Sequence, residues 1–180
     1  MVIFDLDGTL YFQNKLRVLM ACRLAGYYVS HFWRLKELFV LKKFREVREQ
    51  WDKLGSTALD NPALDETELD EAQYQYVARE MKLSAEYVRE TVEEWMYRKP
   101  LIILPKCRDE AIIDLINALR AQGIQIIVYS DYPALDKLRA LEIHADQVYS
   151  ALDENIMSLK PNPKGLQTIL RENHLQPSEA

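Results

Sequence analysis

Apolar residues follow two different rhythms along this chain. Val2 to Leu6 is a short apolar run with β-branched members, ending in the acidic, glycine-containing turn Asp5-Leu6-Asp7-Gly8-Thr9. Its shortness and continuity predict a buried strand. From about residue 14 to residue 98 the period becomes helical. Leu16, Leu19, Met20, Leu24 and Tyr27 share one helix face, and a second stripe runs Phe32, Leu35, Phe39, Val40, Phe44, Val47 and Trp51. Gly55, Ser56, Asn61 and Pro62 mark a loop from Lys53 to Leu64. Asp65 with Glu68 has the form of a capping box opening a helix through Leu69, Ala72, Tyr76 and Met81. Ser84 is the cap expected for a fourth helix carrying Val88, Val92 and Trp95. Together these read as an inserted four-helix domain bounded by Lys99-Pro100.

Strands and helices then alternate. The pattern predicts a helix from Asp109 to Arg120 with Gly123 at its end, a fully covered strand from Ile124 to Tyr129, and a short helix from Leu135 to Leu141. A short strand from Gln147 to Ser150 and a helix from Pro163 to Asn173 complete it. With the helical insert removed, the alternation implies a mostly parallel sheet with right-handed crossovers. The expected domains are an α/β core of residues 1–13 and 99–180, and an inserted four-helix domain of residues 14–98. In such sheets functional groups gather beyond the carboxyl ends of the strands. Asp5, Asp7, Ser130 and the segment from Asp153 to Lys160 all fall there.

Composition narrows the partners. The 180 residues carry a net charge of −5, which argues against a nucleic-acid binder. Asp5 and Asp7 interrupt any apolar leader, and charged residues break the apolar stretch from Leu16 to Leu41, so no membrane span and a cytoplasmic location are expected. Cys22 and Cys107 lack metal-ligand spacing and are expected as reduced, partly buried thiols. The basic residues Arg34, Lys36, Lys42, Lys43, Arg45 and Arg48 alternate with Glu37, Glu46 and Glu49, which predicts a solvated face. His31, His144 and His174 show no ligand spacing.

Three segments carry chemistry. Val2-Ile3-Phe4-Asp5-Leu6-Asp7-Gly8-Thr9-Leu10 resembles the first motif of the haloacid dehalogenase (HAD) superfamily. Tyr129-Ser130-Asp131 resembles the second, and Lys160-Pro161-Asn162-Pro163 the third. The insert resembles the helical cap of the first subclass. The resemblance implies an HAD-like, Rossmannoid α/β core and a Mg²⁺-dependent phosphoryl transfer. Asp5 would be the nucleophile and would form an aspartyl phosphate. Asp7 would act as general acid and base, and is expected in a partly desolvated position. Mg²⁺ would be held through Asp5 and the backbone carbonyl of Asp7. Ser130, Asp131 and Lys160 would form the phosphate-binding segment. Lys160 would balance charge there, while the Asp131 carboxylate would turn away and organise the loop. Gly8 and Thr9 would shape the first loop. An aspartate at position 7 favours a phosphatase or phosphomutase over a dehalogenase. The implied substrate is a small phosphorylated metabolite.

The family's fourth motif, a strand ending in further metal-binding acids, has no counterpart before Ala180. The sequence therefore leads one to expect that the last core strands lie outside the chain and that activity is impaired. It also leads one to expect a first-strand edge open to self-association. A non-catalytic fragment binding phosphate or a partner is the alternative from another class.

Overall fold

The structure, a computed structural model, describes residues 1–50 and 66–179. The expected loop from Lys53 to Leu64, Trp51 and the capping residue Asp65 lie outside the described residues. The chain divides into two compact units, one of Met1–Val18 with Leu101–Ala180 and one of Leu19–Pro100.

The first unit is a three-stranded parallel sheet with helices between its strands. The strands are β1 (Val2–Asp5), β2 (Ile126–Ser130) and β3 (Gln147–Ser150), in the order β1-β2-β3. Val2 faces Ile126 and Asp5 faces Tyr129 across one ladder, while Ile127 faces Gln147 and Ser130 faces Ser150 across the other. All five residues of β2 are buried, which explains its unbroken apolar character: a central strand has no wet face. Ile127, Tyr129, Ala151, Ile156 and Ile169 form the core beside β2, with Met1, Ile3, Tyr149 and Leu159 packed against it. β1 pairs only with β2 among the described residues, so its other edge is open.

The helices begin and end where side chains satisfy their backbones. Asp109 accepts the N–H groups of Ala111 and Ile112 at 3.1 and 3.4 Å, opening a helix over Glu110–Ala121. Gly123, at φ +76°, ends it in the left-handed region that glycine tolerates. Helices over Leu135–Leu141 and Lys164–Glu172 follow β2 and β3.

The second unit is helical. In chain order its long helices are α1 (Gln13–Ser30, which starts in the first unit), α2 (Lys36–Glu49), α3 (Glu66–Met81) and α4 (Ala85–Val92). Continuing the count, α5 is Lys99–Ile103 and α6 is Glu110–Ala121; α7 is Leu135–Leu141 and α8 is Lys164–Glu172. Ser84 accepts the Tyr87 N–H at 3.3 Å at the head of α4. The described secondary structure is thus α/β, three parallel strands with a helical insertion between β1 and β2.

Two expectations for this unit are corrected. The stripe of α2 is turned: Phe32 and Phe39 are exposed, and Glu37, Val40, Leu41, Phe44, Val47 and Arg48 are buried. Phe44 stacks on Tyr74 at 5.4 Å, and its full burial contributes roughly 2 kcal/mol. The solvated-face reading therefore fails at Glu37 and Arg48. Glu37 is wholly buried because it accepts from Tyr28 Oη at 2.8 Å and Trp95 Nε1 at 3.2 Å and pairs with Arg34. Arg48 donates to Gln73 Oε1 at 3.2 Å. A buried charge with such partners is tolerable where a bare one is not. The second unit ends at Pro100, while the helix itself runs on across that bound. The chain widens into a π-helical stretch over Glu93–Arg98, and α5 carries Pro100 in its first turn. The helix is unbroken there, so Pro100 has no N–H to give the preceding turn, and the π-helical widening beside it makes room for its ring. In addition, Cys22 is exposed rather than partly buried, while Cys107 is buried.

Candidate active site

The site is built within the first unit, at the carboxyl ends of β1 and β2. Leu6, wholly buried, anchors the chain where β1 ends. Its carbonyl accepts the Thr9 and Leu10 N–H groups at 3.3 and 3.1 Å, closing a tight turn through Asp7 and Gly8. Gly8 stands at φ +96°, a conformation that side chains resist. The turn folds Thr9 back so that its hydroxyl donates to Asp5 Oδ2 at 3.1 Å.

Lys160 arrives from the other end of the unit. Its ammonium contacts Asp5 Oδ1, donates to the Tyr129 carbonyl at 3.3 Å and lies 4.9 Å from the centre of the Tyr129 ring. Asp131 fixes the backbone at that point, its Oδ1 accepting the Lys160 N–H at 2.9 Å. Asp5, Thr9, Asp131 and Lys160 are thus linked by direct contacts. Ser130 follows Tyr129, the register partner of Asp5. It is buried, and its Oγ accepts the Tyr132 N–H at 3.1 Å, bending the chain out of β2.

The Asp7 carboxylate has other partners. It is held by two residues that the sequence reading did not single out. Lys137 Nζ, in the first turn of α7, lies 2.6 Å from Asp7 Oδ1 and 2.9 Å from Oδ2. Tyr11 Oη donates to Asp7 Oδ1 at 2.5 Å. Burial, and then the Asp7 charge, push the Tyr11 phenol well above its usual range, so it remains a donor. The sequence did hold a clue to Lys137. A cation in the first turn of a helix opposes the helix dipole and is unfavourable unless an acid meets it.

Tyr129 supports the site from below. Burial, followed by the Asp131 and Asp153 charges, pushes its phenol up to about 12. Its hydroxyl is buried and has no hydrogen-bond partner among the described residues.

The haloacid dehalogenase-like hydrolase family matches residues 1–180. The chain belongs to this family. A crystal structure of a putative beta-phosphoglucomutase from Thermotoga maritima is similar at 17% identity, with a TM-score of 0.47, over 97% of this chain and 71% of that one. No curated protein matches the chain.

For an HAD-like hydrolase the fit of a divalent cation can be judged from the donor set. Among the described residues no three His, Cys, Asp or Glu side chains gather as a metal cluster. Mg²⁺ does not require one: it takes one or two carboxylates and completes its shell with water and substrate phosphate. Asp5, with its side chain 42% exposed, offers the hard oxygen such a site uses. The donor set fits that sparse mode. No described helix is long and apolar enough to cross a membrane.

Proposed function

We propose that this HAD-like hydrolase is a phosphatase acting on a small phosphoester through an aspartyl phosphate on Asp5. The observation that carries the reading is the pairing of Asp5 with Lys160 at the mouth of the sheet, beside Ser130. An anionic nucleophile approaches an anionic ester only where positive charge gathers at the same point. Mg²⁺, held by Asp5 and substrate oxygens, would supply further charge and orient the phosphoryl group.

Asp7 enters the first step as the acid, having taken a proton from solvent; Asp5 attacks phosphorus, the ester P–O bond breaks, and the leaving alkoxide takes that proton from Asp7. Water then attacks the phosphorus of the aspartyl phosphate, Asp7 regains a proton from that water, and inorganic phosphate departs as the Asp5 carboxylate is restored. Ser130 and Lys160 bind the non-bridging oxygens. The family's description as hydrolases supports water, rather than a second hydroxyl, as acceptor. The chain order supports a cap role for the helical unit, since it is inserted between β1 and β2, the strands that end in Asp5 and Ser130. The open edge of β1 is where a second chain would pair.

An aryl-phosphate assay tests the reading. Hydrolysis is expected with Mg²⁺, is abolished by a chelator, and is lost in Asp5→Asn. Metal-independent hydrolysis that survives Asp5→Asn would refute it.

A further inference from the structure

The carboxylate of Asp7 is clamped in place. Lys137 reaches both of its oxygens, Tyr11 adds a third contact, and Asp7 and Lys137 have side chains only 19% and 15% exposed. The clamp is rigid at both ends. Tyr11 is 3% exposed, and its backbone bridges to Arg108 in an antiparallel contact. Lys137 stands on α7, which is anchored by Ala134, Leu138 and Leu141, each under 5% exposed. Lys137 lies only seven positions after Ser130, so one short β2–α7 connection joins the proposed phosphate-binding hydroxyl to the cation on Asp7. Lys137 also sits at a helix start, where its charge opposes the dipole. Its partner there is Asp7, not Asp5.

We propose that Lys137 is a positioning residue for Asp7: with Tyr11 it fixes the direction in which the Asp7 carboxyl meets the leaving-group oxygen. This rests on the role of Asp7 given above. Lys137 keeps its charge throughout and donates nothing to the substrate. Misdirecting a proton donor penalises poor leaving groups, which need the proton as the P–O bond breaks, and spares good ones, which do not.

The test compares an alkyl phosphate with p-nitrophenyl phosphate for wild type, Lys137→Met and Lys137→Arg. In Lys137→Met, kcat for the alkyl ester is expected to fall about 100-fold with KM nearly unchanged, while kcat for p-nitrophenyl phosphate falls less than about tenfold. Lys137→Arg restores part of the alkyl activity because a cation still meets Asp7. Equal losses on both esters with a raised KM would mean that Lys137 binds phosphate instead, and no loss on either would mean an idle ion pair. Both outcomes overturn the proposal. Asp5→Asn separates the two readings, since it removes both activities if the nucleophile is correct, whatever Lys137 does. Crystal structures of wild type and Lys137→Met give a readout that needs no turnover. The Asp7 carboxyl is expected to rotate in the variant, and an unmoved carboxyl overturns the proposal.

Discussion

A methyl group placed on Gly165 would lie 2.1 Å from Tyr129 Oη and 2.3 Å from Cζ. Glycine inside a helix ordinarily costs stability relative to alanine. At Gly165 the sign is reversed, because the second residue of α8 must let a tyrosine ring press against its backbone. Gly165→Ala is expected to destabilise the protein by about 1–3 kcal/mol, the range for overpacking a core. Adding Tyr129→Leu recovers part of the loss, which a denaturant double-mutant cycle reads directly. Additive losses would contradict the contact.

Tyr129→Phe separates packing from charge. The buried hydroxyl lacks a partner among the described residues, so its removal is expected to stabilise the protein by about 1 kcal/mol at neutral pH. The pH dependence follows from the raised phenol, whose ordinary value of 10.0 becomes about 12 in the fold. Stability from the neutral phenol is fully present below pH 10.0 and is lost as pH rises toward 12. Denaturation midpoints of wild type should therefore fall across that window, and those of Tyr129→Phe should fall less.

The sheet was legible in the sequence because its strands are short, apolar and bounded by turn residues. β2 differs from its expected span at both ends: it starts two residues later, at Ile126, and runs one residue further, to Ser130. The insert was less legible. Phe32 and Phe39 match a helical stripe as well as Val40 and Phe44 do. The phase was decided by Glu37, which no hydrophobic pattern places in a core. Burying it required donors from Tyr28 and Trp95, the latter 58 residues away. The site showed the same limit. The candidates Asp5, Ser130 and Lys160 come from local motifs, and the structure joins Asp5 to Lys160, whereas Lys137 meets Asp7 across 130 residues of sequence.

Glu37 gives the helical unit its polar centre. Burial first, and then Glu37 itself, hold the Tyr28 phenol well above its usual range. Glu37→Ala leaves Tyr28 Oη and Trp95 Nε1 without an acceptor, each a loss of about 1–3 kcal/mol for a buried group. A destabilisation of about 2–4 kcal/mol in denaturant unfolding is expected. A loss below about 0.5 kcal/mol, the scale of an ordinary surface change, would show the network to be idle.

Lys160 faces both Asp5 and the position proposed for the transferring phosphoryl group. Lys160→Met is expected to lower kcat by about 100- to 1,000-fold, the scale for removing one aligned electrostatic donor. Lys160→Arg should recover little, because a planar guanidinium does not reproduce a compact ammonium beside Asp5 and the Tyr129 carbonyl. Steady-state kinetics on one aryl phosphate checks both variants.

Acid quenching during turnover, followed by peptide mass mapping, tests the chemistry most directly. A phosphoryl group is predicted on the peptide containing Asp5 and on no other, absent in Asp5→Asn and released as inorganic phosphate on a chase with water. Turnover that proceeds at an unchanged rate in Asp5→Asn, or a phosphoryl group trapped on a different residue, would contradict the account.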